Sequence, residues 1–142
     1  MLSVGLFYDN CSNNHEDLKM KNVANWFEIP VTDMARAKSF YQNVMEASFK
    51  DDEMDGFQMA IFDAEEGAVS GMLVLGENYQ PSQTGAVIYL NGGDDLSFPL
   101  ERAVEQGGRV MIPKTSINDG KCGYYAQFMD SEGNRIGLYS AA

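Results

Sequence analysis

The apolar positions of this chain fall into two alternating rhythms. In "ANWFEIPV", residues 24–31, Phe27, Ile29 and Val31 share one side, and Trp26, Glu28 and Pro30 share the other. That period of two predicts a strand over about 24–31. The rhythm then changes. Met34, Ala37, Phe40, Tyr41, Val44 and Met45 recur at helical spacing and predict a helix over about 33–46, with Asp33 as its N-cap. Three short strands follow in "ASFKDD", "FQMAIFD" and "AVSGMLVLG". The Asp-Gly of "MDGF" signals a tight hairpin between the first two. The stretch "ENYQPSQTG" breaks the pattern, as a linker does.

After the break the order starts again. "AVIYLN" is a strand and "DDLSFPLERAVEQ" a helix stopped by Gly107 and Gly108. Pro99 belongs in the first turn of that helix, where its missing N–H costs little, so Asp95 or Ser97 is the expected cap. "RVMIPKTSI", "YYAQFMD" and "NRIGLYS" complete three more strands, with "DSEGN" as the last turn. The chain therefore reads as an α+β protein of two βαβββ modules, at about 23–79 and 85–140, with one helix against one face of each curved sheet. Phe27, Ile29, Val31, Ile88, Leu90, Phe128, Ile136 and Leu138 face the helices. The opposite face then carries Trp26 and Glu28; Val87, Tyr89 and Asn91; Tyr125, Gln127 and Met129; Arg135, Gly137 and Tyr139. A Trp, three Tyr and only two charges make that face look like a lined concavity for a small molecule.

Charge and cysteine content narrow the classes. The chain has 142 residues and a net charge of −11, from 21 acids and 10 bases. Clustered Lys and Arg for a phosphate backbone are missing, which argues against nucleic acid, and the same acidity disfavours anionic membranes. No apolar run approaches the ~20 residues of a membrane span, and "MLSVGLF" lacks a basic front for a signal peptide. Cys11 and Cys122 form neither a metal-type spacing nor a disulfide framework, so a reducing, cytoplasmic setting is the expectation. Residues 1–22 are polar, without period, and hold the sole His, His15. They read as an N-terminal extension to a single domain at 23–142, anchored by Leu2, Val4, Leu6 or Phe7.

Paired βαβββ modules with "VTDMARAKSFYQNV" after the first strand and "MDSEGNRIGLY" at the end resemble the vicinal oxygen chelate superfamily. That superfamily includes glyoxalase I, bleomycin-resistance proteins, extradiol dioxygenases and fosfomycin-resistance enzymes. The resemblance covers about residues 23–140 and looks closest to a bacterial branch of small glyoxalase-like proteins. It implies a curved, half-open, eight-stranded sheet around a cup, and a homodimer. Metal-dependent members hold a divalent ion with two ligands from each module. Those positions fall here on Trp26, on Gly71 or Met72, on Val87 or Ala86, and on Gly137. None offers the N or O donor such an ion needs, so neither a metal nor another cofactor is expected.

Glu28 is the most chemical residue on the cup face. Its expected roles are a partner for a cationic ligand, a general base, or a structural bond to Arg135 or a Tyr. Trp26, Tyr89, Tyr125 and Tyr139 are either walls for a flat or cationic ligand or plain packing. Arg135 could clamp a carboxylate or pair with an acid at the rim. Lys114, Thr115 and Ser116 form a polar strand end at the mouth. Cys122 has no His to activate it and reads as an inert or surface thiol. The expected activity is metal-free binding of an aromatic or cationic small molecule. The alternatives are a metal-independent isomerase or lyase with Glu28 as base and Tyr89 or Tyr125 as proton donor, and an interaction module whose cup is filled.

Overall fold

A computed structural model describes residues 20–142. The expectations for Leu2, Val4, Leu6, Phe7, Cys11 and His15 lie outside these residues. The elements run β1 (Trp26–Pro30), α1 (Met34–Met45), β2 (Phe49–Met54), β3 (Phe57–Phe62), β4 (Ser70–Leu75), β5 (Ile88–Asn91), α2 (Ser97–Glu105), β6 (Arg109–Ser116), β7 (Tyr124–Met129) and β8 (Arg135–Ser140). This is the expected α+β fold with two βαβββ modules. Its eight strands divide into two four-stranded mixed sheets, ordered β1-β4-β3-β2 and β5-β8-β7-β6. β1 runs parallel to β4, and β5 parallel to β8. The edge strands β1 and β5 meet along a seam. Phe27 shares one cleft there with Leu90 and Asn91, while Glu28, Ile29 and Pro30 share another with Ile88.

Local chemistry explains the element ends. Asp33 is extended, and its carboxylate accepts the Arg36 amide at 3.0 Å, capping α1. Asp55 and Gly56 both have positive φ, 52° and 84°, as a two-residue hairpin of the mirror type requires. The second helix departs from expectation: Leu96 stands at its N-cap with no side-chain cap bond, not Asp95 or Ser97, while Asp95 accepts Lys114 Nζ at 2.9 Å and the Ser97 amide at 2.9 Å, bonds that hold its carboxyl down at about 2. Gly107, with φ 95°, ends α2.

One core serves both modules. Ile29, Val31, Phe40, Tyr41, Val44 and Leu73 from the first pack with Leu90, Leu100, Phe128, Ile136 and Leu138 from the second. The Phe40 and Phe128 rings meet at 6.0 Å between centroids. Each such side chain gains roughly 1.5–3 kcal/mol on burial, which is why the helix-facing positions could be read from alternation.

The turn at 130–134 ties the halves together. Asp130 accepts Tyr41 Oη of α1 at 2.6 Å, and Asn134 Nδ2 donates to the Pro30 carbonyl at 2.8 Å. The Glu132 side chain is fully buried. It accepts the Thr32 and Asp33 amides at 2.9 and 3.0 Å and Arg36 Nε at 2.7 Å. Burial pushes its carboxyl upward, but the bonds from Arg36, Thr32, Asp33 and Ser131 outweigh this and set it at about 2, against an ordinary 4.5. The folded value is the lower one, so the stabilisation is complete above the ordinary value and is lost as pH falls towards the folded one. Wild type minus Glu132→Gln should therefore lose on the order of 2 kcal/mol of unfolding free energy across that acid window. Urea titrations at a series of pH values would read this difference, and parallel curves for the two proteins would contradict it.

Candidate functional site

The face of the sheets turned away from the helices carries the candidate residues, and the register shows how they group. Trp26 pairs with Ser70 and Glu28 with Met72. Met72 therefore shares the Glu28 face. Gly71 lies on the Phe27 side, where an added Cβ would collide with the Phe27 ring. In the second sheet Tyr89, Gly137 and Gln127 form one row, and Asn91, Tyr139 and Tyr125 the next.

The two halves of this face differ. The second is filled by its own residues. Tyr125, 1% exposed, packs with Ile117 and Cys122, flanked by Tyr89, Ile112 and Tyr139. The Tyr89 and Tyr125 rings stand edge to face at 6.4 Å. Tyr139 Oη donates to the Cys122 carbonyl at 2.7 Å. Gly123 permits this approach, because a Cβ there would fall 2.6 Å from Tyr139 Oη. Cys122 corrects two expectations: it is disulfide-bonded where no disulfide was expected, and it is buried rather than an inert or surface thiol.

Gln127 links the buried row to the rim. Its Nε2 donates to Tyr89 Oη at 2.7 Å, and its Oε1 accepts Arg135 Nη1 at 2.7 Å. Arg135 Nε donates to the Gln83 carbonyl at 3.0 Å, and its amide to the Ser82 carbonyl at 3.1 Å. The acid expected beside Arg135 is not there: among the described residues no carboxylate lies within ion-pairing distance of it.

The first half is more open. Trp26 is 45% exposed, so it does not plug the face. Glu28 is exposed too, and of the roles expected of it the structure shows the bond to a Tyr: it accepts Tyr79 Oη at 3.0 Å. The bond to Glu28, the carboxylate charge and partial burial raise the Tyr79 phenol above its ordinary value. Tyr79 also stands edge to face on Phe57 at 5.7 Å. Sequence reasoning missed Tyr79, because it sits in the stretch read as a linker; a lone aromatic among polar residues was the available signal.

The remaining candidates scatter. Asn91 Oδ1 accepts the Gly93 amide at 2.8 Å and lines a cleft of about 440 Å³ at one end of the seam. Val87 is half-buried just before β5. Lys114 is tied to Asp95 and lies 4.5 Å from the Tyr124 ring centroid. At the other end of the seam, Glu28, Pro30, Ala86, Ile88, Arg135 and Ile136 surround a cavity of about 200 Å³.

A divalent ion of the kind held in metal-dependent relatives does not fit these residues. Trp26, Met72, Val87 and Gly137 supply no N or O donor, and the Tyr89 ring lies over Gly137 where a ligand side chain would stand. Among the described residues, no three His, Cys, Asp or Glu side chains converge on a point.

Comparison with known proteins places this geometry. CFP32 of Mycobacterium bovis and Mycobacterium tuberculosis, whose glyoxylase designation is itself provisional, is 27% identical over 122 residues. The match covers 82% of this chain and 45% of CFP32, so the chain spans less than half the length of these relatives. A glyoxylase/bleomycin resistance protein/dioxygenase domain from Frankia sp. superposes with a TM-score of 0.65 at 13% identity, over 86% of this chain and 98% of that one. TnmS3, an antibiotic binding protein from a Streptomyces species, superposes with a TM-score of 0.58 at 25% identity, over 90% of this chain and all of the other (100%). With the model of that family matching residues 23–138, the chain belongs to the Glyoxalase/Bleomycin resistance protein/Dioxygenase superfamily.

Proposed function

We propose that this protein binds a small organic molecule without a metal, and that the ligand is aromatic or cationic. The observation that carries this reading is the pairing of an exposed indole, Trp26, with a carboxylate, Glu28, on one strand face, the carboxylate steadied by Tyr79. An indole face attracts flat rings and cations, and a carboxylate beside it adds charge attraction. The net charge of −11 draws cations towards the site. The likeness to TnmS3, an antibiotic binding protein, supports binding rather than turnover.

Trp26 is the sole tryptophan of the chain, so its emission reports directly on this face. Titration with proflavine, a planar aromatic cation, should quench it saturably. Glu28→Gln should weaken binding by about tenfold, near 1.4 kcal/mol. Absence of saturable quenching by proflavine and by neutral planar aromatics alike would refute the reading.

A further inference from the structure

The cavity at the seam holds two opposite charges that do not meet. Glu28 and Arg135 both line it, and the two form no ion pair. Each is held from elsewhere. Tyr79 fixes one Glu28 oxygen, and Gln127 and the Gln83 carbonyl fix the Arg135 guanidinium. Among the described residues Arg135 Nη2 and the second Glu28 oxygen have no partner, and no described polar side-chain atom is sealed from solvent without one. Both are available to a ligand.

Aliphatic groups of Pro30, Ala86, Ile88 and Ile136 line the same cavity. Ser82 and Thr84 add hydroxyls from the segment joining the modules. At about 200 Å³ the cavity is smaller than the ~300–1,000 Å³ of drug-sized sites. Its size and lining suit a compact molecule with an aliphatic body.

We infer that this cavity takes a small amphoteric molecule of the α-amino-acid class, its carboxylate on Arg135 and its ammonium on Glu28. The inference rests on the small-molecule reading above and goes beyond its aromatic or cationic ligand, sharing with it only a cationic group on Glu28. With Nε and Nη1 engaged, Arg135 Nη2 donates a charge-assisted bond to a carboxylate, and an ammonium completes the open Glu28 oxygen. A ligand with one charge would leave the opposite protein charge without a counter-charge. A dipolar one satisfies both.

The test uses L-leucine, with 4-methylpentanoate and 3-methylbutylamine as probes that each keep one charge. Amide and Arg135 Nε–H signals in nitrogen–proton correlation spectra of the full chain provide the readout. L-leucine should shift the signals of Ser82, Thr84, Ala86, Ile136 and Arg135 saturably. Each half-probe should bind at least tenfold more weakly. Glu28→Gln, an exposed change that leaves the core intact, should weaken L-leucine by a similar factor, while Arg135→Lys should retain part of the affinity that Arg135→Gln loses. No shift with L-leucine, or equal binding of either half-probe, overturns the proposal. If proflavine still quenches Trp26 in that case, only the amphoteric ligand is refuted; if it does not, the small-molecule reading falls as well.

Discussion

Asp130→Ala is expected to lower the unfolding free energy by about 3–5 kcal/mol. The residue is 4% exposed and serves four donors. These are the Tyr41 hydroxyl at 2.6 Å, Asn134 Nδ2 at 3.1 Å, and the amides of Glu132 and Asn134, each at 2.9 Å. Removing the carboxylate strands a buried phenol in the shared core and loosens the turn that carries Glu132. Burial, followed by the charge and hydrogen bond of Asp130, already raises the Tyr41 phenol well above its ordinary value, so it stays neutral and donating across the accessible range. Tyr41→Phe removes only one of these bonds and should cost about 1–2 kcal/mol. The double variant should fall short of the sum by at least about 1 kcal/mol, because the two groups share a bond. Urea unfolding of the four proteins measures this, and a loss below about 1 kcal/mol for Asp130→Ala would show that the turn holds without it.

Gly137→Glu, which restores a carboxylate at the position used for a metal in relatives, is expected to cost about 3 kcal/mol or more and to bring no metal binding. The first added carbon already collides with the Tyr89 ring. Tyr89 is not free to swing aside, since its hydroxyl accepts from Gln127, which in turn is held by Arg135. Gly137→Ala isolates the steric part and should cost about 1–3 kcal/mol. Much of that loss should vanish when Tyr89 is also changed to Ala, giving a coupling of about 1 kcal/mol or more. Thermal unfolding with and without zinc or nickel reads both halves of the prediction. An unchanged Gly137→Ala, or a Gly137→Glu protein stabilised by metal, would show that the ring yields.

The fold was legible because its determinants are local. Phe27 and Ile29 alternate within one strand and Val31 continues the pattern just past it, Asp33 caps the helix it precedes, and Asp55-Gly56 makes its own turn. The site was legible only in part. Alternation assigns Trp26, Glu28, Tyr89 and Tyr125 to a common face, but it does not say what covers that face. Tyr125 and Gln127 proved buried, while Trp26 and Glu28 stayed exposed. The partner of Glu28 and one partner of Arg135 come from a segment without periodicity, so no pattern pointed to Tyr79 or Gln83. "DSEGN" announces a turn by composition, yet the tasks of Asp130 and Glu132 depend on residues about ninety to a hundred positions away.

That distance bears on how the protein is made. The Thr32 amide waits for Glu132, one hundred residues further along the chain. The hydroxyl of Tyr41 waits for Asp130, 89 residues on. On the ribosome the first module is complete in sequence long before its helix start and its central phenol have partners. Its apolar helix side has no opposing half to cover it until the second module emerges. Folding of the first module is thus tied to the emergence of β7 and β8, so the nascent first half stands exposed to chaperones and proteases until the second has been made.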